Sequence, residues 1–325
     1  MVIGHSGCPN YLHRFIYLFH MPCFFFISGW LLKDKYLTNI KNGLYNKIKG
    51  SYIPFVKWSL IFLLFHNVFV RFHIYDADTY YSLTDFNVKV LRIITMSGGE
   101  QLLGGYWFLI SLFWASVISI LFFYFLKKIG KLNQGYMLKG ILTVIIIATI
   151  EKLLPLKLPA QFGEQTLLAT AFYMSGYYFH LFNIDIKRIW QVLFILIPAI
   201  AAIFIGLSMH NTGINALLYY AIALVGSIGI MSSASWLAKY KINKILAYIG
   251  NKTLYILTFH FLAFKLVSLF YIHYKGLSID LLAQFPVLKD PNPYIWFIYS
   301  VAGVSLPLLI WEVLHRLPAL LVKSD

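Results

Sequence analysis

The chain is poor in charged residues, and acidic residues are especially scarce. Of its 325 residues 12% are charged, with 12 Asp and Glu against 27 Lys and Arg. Soluble domains carry about 25% charged residues, so this composition argues against a water-soluble protein. Cysteine is also rare, because Cys8 and Cys23 are too few for a disulfide framework. No metal-ligand spacing, phosphate loop or nucleophile elbow is present, so we expect no metal site.

Long apolar runs are the dominant feature instead. Hydrophobic residues make up 60% of the chain and aromatic residues 18%. Continuous apolar runs of this kind predict an all-α, polytopic helical membrane protein, whereas a β-barrel would show short alternating segments. Gly29, near the end of the first run, permits close approach of a second helix. We predict a single membrane domain over 1–325 with full transmembrane segments at about 16–32, 52–70, 107–126, 138–151, 166–182, 189–207, 216–236, 253–272 and 294–315.

Basic residues are concentrated in alternate loops. The positive-inside rule assigns these loops to the cytoplasm, so the formal net charge of +15 reflects membrane topology rather than binding to nucleic acid. The segment 6–15 then lies outside, and His5 becomes the end of a truncated first helix. The two most basic loops hold Lys33, Lys35, Lys41, Lys47 and Lys49, and then Lys127, Lys128, Lys131 and Lys139.

Histidines at membrane boundaries are the first candidates for chemistry. The topology places His5 and His20 at the external face, joined by a short loop, while His260 lies two turns inside the eighth segment. An ionisable side chain in a membrane segment is a functional hypothesis by default, and histidine can act as a general base on a sugar hydroxyl. The alternative is that each ring hydrogen-bonds a backbone carbonyl. For His260, a cavity-lining role and a structural hydrogen bond are both open.

A basic cluster at a cytoplasmic membrane edge is the second candidate site. It could bind the phosphates of a nucleotide-like donor, or it could set the topology beside anionic lipid. Its members are Lys47, Lys49 and Lys57.

Three residues at the external ends of the third and fourth segments form the third candidate site. Glu100 and Glu151 could bind a sugar or orient a histidine, although solvation alone also explains Glu100. Trp107 could contact the sugar or could be an interfacial belt residue.

Several of these stretches together resemble a known family. They are GHS at 4–6, IYLFHMPCFFFISG at 16–29, KIK at 47–49 before YIPF at 52–55, YWFL at 106–109, and GNKTLY at 250–255 leading to His260. The pattern resembles the membrane acyltransferase 3 family, and within it the fucose 4-O-acetylase-like sugar O-acetyltransferases. The resemblance spans nearly the whole chain.

The resemblance implies a membrane enzyme of about ten helices that takes an acetyl group from cytoplasmic acetyl-CoA, its co-substrate. The acceptor would be a hydroxyl of a cell-surface or exported polysaccharide, and the location a bacterial inner membrane. Under this resemblance His5 is the general base, and His20 positions the acceptor or stabilises the His. Lys47, Lys49 and Lys57 would bind the donor phosphates, and Glu100, Trp107, Glu151 and His260 the acceptor.

Two departures from the family pattern leave other functions open. The family's first helix carries an Arg followed by ten residues and a His; His5 matches the His, and the Arg would fall before Met1. A second basic pair, usually two Arg, appears here as Lys47 and Gly50. An inactive truncated acyltransferase is therefore one alternative. The other is a proton-coupled transporter or flippase of a lipid-linked glycan, although the expected internal repeat is not visible.

Overall fold

A computed structural model describes residues 1–154, 162–184, 186–212, 216–289 and 292–321, without the side chains of 188, 235 and 316–321. These residues form helices and no β-strand, so the predicted all-α class is confirmed. The helices are α1 (Val2–His5), α2 (Asn10–Trp30), α3 (Lys35–Thr38), α4 (Ile40–Lys47), α5 (Ile53–Leu64), α6 (His66–Arg71), α7 (Leu83–Ile94), α8 (Trp107–Lys128), α9 (Gln134–Leu153), α10 (Glu164–Leu181), α11 (Arg188–Phe204), α12 (Ala216–Leu237), α13 (Ile242–Asn251), α14 (Thr253–Lys275) and α15 (Ile295–Leu321).

Each predicted transmembrane segment overlaps helical backbone. The second segment contains two helices, because the chain leaves the helical path at Phe65, where φ is −90° and ψ is 0°. Within the described residues, 4 helices are long and apolar enough to cross a membrane by length and composition. They are Gln101–Lys128, Ala216–Ala234, Thr253–Lys275 and Ile295–His315. The count of nine full spans stays a prediction.

The chain divides into two compact units. Unit 1 combines Met1–His13, Lys57–Tyr106 and Lys241–Asp325, and unit 2 combines Arg14–Val56 and Trp107–Tyr240. The candidate residues are distributed between them. Unit 1 contains His5, Lys57, Glu100 and His260, and unit 2 contains His20, Lys47, Lys49, Trp107 and Glu151.

In unit 1 helix α15 packs against α14 and also against the short helix α1. Ser300 on α15 donates a hydrogen bond to Ser6 just after α1, at 2.9 Å, and Ser6 in turn donates to the Ile3 carbonyl. Helix α14 ends at Gly276, whose φ of 62° is accessible to glycine at little cost. These contacts fix the position of His5, the last residue of α1.

In unit 2 helix α10 is the central element, and every side chain from Thr166 to Tyr177 is buried. It packs against α8, α9 and α2. A Cβ atom at Gly176 would lie 1.9 Å from the Phe26 carbonyl oxygen, and one at Gly29 would lie 1.9 Å from that of Tyr173. Paired glycines therefore let the backbones of α2 and α10 touch, as small residues do between membrane helices.

Candidate functional site

Two histidines meet in unit 1. His5 is half-buried at the end of α1, and its ring centroid lies 5.6 Å from that of His260 on α14. His260 is fully buried, and its Nδ1 lies 3.0 Å from the carbonyl oxygens of Ile256 and Leu257. Carbonyls only accept hydrogen bonds, so Nδ1 carries a proton and the neutral ring has its lone pair on Nε2. That Nε2 is buried and has no hydrogen-bond partner among the described residues.

Aromatic and backbone groups surround this pair. The Phe261 ring lies 5.0 Å from His5 and 3.9 Å from His260, and Phe285 packs on Phe261 at 4.6 Å. The turn before α8 passes beside the second ring, since a Cβ atom at Gly105 would lie 3.8 Å from His260 Cε1. His260 is fully buried among these groups, which strengthens electrostatic interactions at its ring.

A buried lysine holds the loop that carries Phe285. Lys265 on α14 is 3% exposed, and its Nζ donates hydrogen bonds of 2.7 Å to the carbonyls of Leu282 and Gln284. A buried ammonium group is tolerated where its protons are used in this way. Tyr106 and Thr258 tie the turn before α8 to α14 by a hydrogen bond of 2.6 Å between their hydroxyls.

Glu100 lies in a second buried cluster of unit 1. Its Oε2 is 2.7 Å from His66 Nδ1, and the two side chains are 1% and 4% exposed. His66 Nε2 donates to the Thr79 carbonyl at 2.8 Å, and the ring stacks on Tyr81 at 3.5 Å between centroids. The structure therefore pairs Glu100 with a histidine to which the sequence analysis gave no role. His66 lies within a predicted membrane segment, which was the signal for it.

His20 lies in unit 2 and contacts its own helix. Its Nδ1 is 2.7 Å from the Ile16 carbonyl oxygen, and the Tyr17 ring meets it edge-on at 5.1 Å. The backbone hydrogen bond considered for the boundary histidines is thus present at His20. Its action together with His5 stays a prediction.

Trp107 begins α8 and contacts a loop histidine. Its half-buried ring meets His210 edge-on, with centroids 4.6 Å apart. Gln165 Nε2 lies 2.6 Å from His210 Nδ1, and burial lowers the pKa of His210. An aromatic ring beside an amide and an imidazole can bind a sugar, because it offers one apolar face and several hydrogen-bonding groups. His210 was missed because scattered histidines near segment ends carry no sequence signal.

Glu151 supports the start of α10. Its Oε2 accepts a hydrogen bond of 2.8 Å from the backbone N–H of Glu164, the first residue of that helix. A carboxylate there interacts favourably with the helix dipole. Glu164 in turn pairs with Lys152 at 3.3 Å and accepts a hydrogen bond from the Thr212 hydroxyl. Sugar binding by Glu151 stays a prediction.

The three candidate lysines have different surroundings. Lys47, at the end of α4, is half-buried with its Nζ 5.5 Å from the Tyr173 ring, and burial lowers its pKa to about 8. Lys49 is exposed in the π-helical turn that follows. Lys57 is exposed in unit 1, with its Nζ 5.1 Å from the Trp58 ring. Lys47 therefore combines partial burial with a cation–π contact, whereas Lys49 and Lys57 are exposed.

Comparison with known families identifies the class of protein. The family model described as an acyltransferase domain, Acyl_transf_3, matches residues 1–312. The chain belongs to the acyltransferase 3 family. No curated protein matches it, and neither does any solved structure. The family expected from the sequence motifs is thereby confirmed, and the sugar O-acetyltransferase branch stays a prediction.

Membership in the acyltransferase 3 family predicts which chemical groups the protein needs. Acyl transfer to a hydroxyl needs a base for the hydroxyl proton and cationic groups for an anionic donor. In unit 1 the His5–His260 pair offers the first requirement, and in unit 2 Lys47 and Lys49 offer the second. This membrane acyltransferase thus has candidate groups for both.

Proposed function

We propose that this membrane acyltransferase is a sugar O-acetyltransferase. It moves an acetyl group from cytoplasmic acetyl-CoA to a hydroxyl of a cell-surface or exported glycan, in a bacterial inner membrane that it crosses with nine full helices. The observation that carries the proposal is the His5–His260 pair. His5 is the residue that matches the family's histidine, and it lies 5.6 Å from a second imidazole, whose buried Nε2 has no hydrogen-bond partner among the described residues.

The chemistry assigned to the pair is general base catalysis. His5 takes the proton of the sugar hydroxyl while the hydroxyl oxygen attacks the carbonyl carbon of the thioester. The new ester C–O bond forms, the C–S bond breaks, and the coenzyme A thiolate leaves and takes up a proton. The lone pair on His260 Nε2 favours the positive charge that develops on His5. A general base of this kind contributes roughly 10²–10⁴-fold to the rate.

The donor and acceptor assignments rest on charge and ring exposure. Lys47 and Lys49 bind the phosphates of acetyl-CoA, with Lys57 as a third cation, because ammonium groups form strong hydrogen bonds to phosphate oxygens. His20 positions the acceptor. Among the acceptor-binding candidates Trp107 is the best supported, since its half-buried ring stands beside His210 and Gln165. Glu100 and Glu151 would act through the histidine and the helix end that they contact.

The test measures acetyl transfer by the full chain in membranes. Cells lacking the gene are complemented with wild type, His5→Ala or His260→Ala, and labelled acetyl-CoA is added to membrane vesicles. Base-labile acetate on the glycan is then quantified. His273→Ala is the matched control, because His273 is exposed on the same helix as His260. We expect the first two variants to lose about 10²-fold or more of the activity, and the control to keep it.

Three outcomes would contradict the proposal. If His5→Ala acetylates the glycan at the wild-type level, His5 is not the general base. Label that appears in lipid or protein but not in glycan would refute the acceptor class. If the wild type incorporates no acetate, and its deletion instead makes lipid-linked glycan accumulate on the cytoplasmic side, the transporter alternative is correct.

A further inference from the structure

An apolar groove runs along one face of unit 2, where α8, α9 and α10 meet. Its volume is about 310 Å³, and its apolar lining includes Ile118, Phe122, Leu126, Val144 and Met174. From Ile118 to Leu126 the lining follows α8 for about 12 Å at 1.5 Å per residue. One leaflet of a bilayer has a hydrocarbon depth of about 15 Å. The groove therefore has nearly the length of one leaflet.

A glycine determines the floor of this groove. A Cβ atom at Gly140 would lie 2.3 Å from Phe122 Cζ and 3.2 Å from Met174 Cε. The far end of the Phe122 ring can approach the backbone of α9 because no side chain occupies this position. The groove is thus a built feature of three packed helices rather than a gap between flexible side chains.

Two lysines converge at the end of the groove that the charge distribution assigns to the cytoplasm. Tyr136 and Lys139 line that end. The Nζ atoms of Lys131 and Lys139 lie 5.2 Å and 5.6 Å from the centroid of the Tyr136 ring. An ammonium group donates charge-assisted hydrogen bonds to phosphate oxygens, so an anion beside this ring would be bound favourably.

No carboxylate of the described residues forms an ion pair with these lysines. Between Glu100 and Glu151 the sequence contains no Asp or Glu, although this stretch holds four lysines. Within the described part of the chain, none of those lysines takes part in an ion pair. The pairs found there are His66–Glu100, His73–Asp280 and Lys152–Glu164. Among the described residues these lysines therefore have no carboxylate partner, which leaves their ammonium groups available to an anion from another molecule.

We propose that this groove is a binding site for an anionic glycerophospholipid of the cytoplasmic leaflet. One acyl chain lies in the groove against Phe122 and Met174, and the phosphate headgroup lies between Lys131 and Lys139. Tyr136 sits at headgroup level, where tyrosine is enriched in membrane proteins. Anionic lipid is attracted to such basic juxtamembrane segments. The apolar groove adds a surface that fits one acyl chain. The site is separate from the acyl-transfer chemistry and does not depend on it.

The experiment compares lipid retention by the full chain. The protein is purified in detergent with equal amounts of phosphatidylglycerol and phosphatidylethanolamine, and the bound lipids are counted by native mass spectrometry. Lys131→Gln and Lys139→Gln remove the charges singly and together. Thr143→Phe fills the groove without changing charge, because Thr143 is an exposed lining residue. Lys128→Gln is the matched control, because Lys128 is an exposed lysine at the end of α8 that does not line the groove.

We expect the wild type to retain phosphatidylglycerol preferentially. Each neutralised lysine should weaken that retention about fivefold, from the contribution of one basic residue near an anionic surface. Thr143→Phe should abolish the retained lipid, Lys139→Arg should keep it, and Lys128→Gln should change it less than twofold. Each variant is first checked for the monodisperse elution of the wild type.

Several results would overturn the proposal. Equal losses in Lys128→Gln and Lys139→Gln would indicate diffuse attraction to the whole loop. Unchanged retention in a well-folded Thr143→Phe would show that no acyl chain occupies the groove. Release of phosphatidylglycerol by coenzyme A would show that the two lysines bind a nucleotide phosphate instead. Equal retention of the two phospholipids would show that the lysine charges do not select the bound lipid.

Discussion

Removing the Glu100 carboxylate should destabilise unit 1 more than a typical substitution. In Glu100→Ala, His66 keeps its hydrogen bond to Thr79 but loses the partner of Nδ1, which lies 2.7 Å from the carboxylate. Both side chains are almost completely buried, at 4% and 1% exposure, so solvent screens the pair little. Breaking a buried pair by removing one partner costs about 3–5 kcal/mol. We expect that loss in the free energy of unfolding.

Thermal unfolding of the detergent-purified chain measures this effect. A loss of 1 kcal/mol lowers the Tm of a large domain by about 2 °C, so Glu100→Ala should melt about 6–10 °C below the wild type. Glu100→Gln is the matched control. While His66 Nε2 donates to Thr79, the glutamine amide N–H can donate to His66 Nδ1, so this variant should lose less stability than Glu100→Ala. The double variant His66→Phe with Glu100→Leu replaces both polar groups by apolar ones. Such replacements often leave the stability of a protein unchanged.

A double-mutant cycle decides whether the two residues act as a pair. If His66→Phe and Glu100→Leu destabilise additively, the contact at 2.7 Å carries no coupling energy and the reasoning is refuted. A Glu100→Ala variant that melts within 1 °C of the wild type would refute it as well. A stable Glu100→Ala protein without acetyl transfer would instead support direct contact between this carboxylate and the acceptor.

Three further predictions concern other contacts. Gly176→Ala places a methyl group against the Phe26 carbonyl oxygen and should lower the free energy of unfolding by about 3 kcal/mol or more, which would be seen as loss of monodisperse protein. Gly250→Ala is the control and should elute normally, because the space around Gly250 is open. Lys265→Met removes the group that donates hydrogen bonds to two loop carbonyls. We expect the free energy of unfolding to fall by about 1–3 kcal/mol and the kcat for acetyl transfer to decrease. An unchanged Tm and kcat would contradict this. Burial lowers the pKa of Lys47 to about 8, so its positive charge is present below that pH and lost above it. The KM for the proposed donor acetyl-CoA should therefore rise as the pH passes through 8. Lys47→Met should raise this KM at every pH and abolish its dependence on pH.

The fold class could be predicted because it depends on local composition. Apolar runs of membrane length occur with few charges, and each run overlaps helical backbone in the structure. The short amphipathic helices were missed because they do not have long apolar runs. For α7 a readable signal existed: Ser82 and Asp85 form a capping box, in which each side chain accepts from the other's backbone N–H. The break at Phe65 has no such signal, because no glycine or proline stands there.

The pairing of the site residues could not be predicted in the same way. Sequence placed His5, His20 and His260 at or within the membrane, but which rings meet depends on tertiary packing. His5 meets His260 because α1 packs on α15, and α15 packs on α14. Glu100 could be read as orienting a histidine, and the structure supplies that histidine as His66. Contacts between distant parts of a chain leave no periodic pattern in either part.

The surroundings of the two rings in unit 1 argue for different roles. His260 is fully buried and fixed by two carbonyls of its own helix, so its protonated nitrogen and its orientation are set before any substrate binds. His5 is half-buried on a helix of 4 residues that is held to α15 through Ser6. A general base must reach the substrate proton and must accept charge during the reaction. The half-buried ring meets the first condition, and the buried lone pair beside it favours the second. These surroundings support the proposal that His5 transfers the proton and that His260 supports it electrostatically.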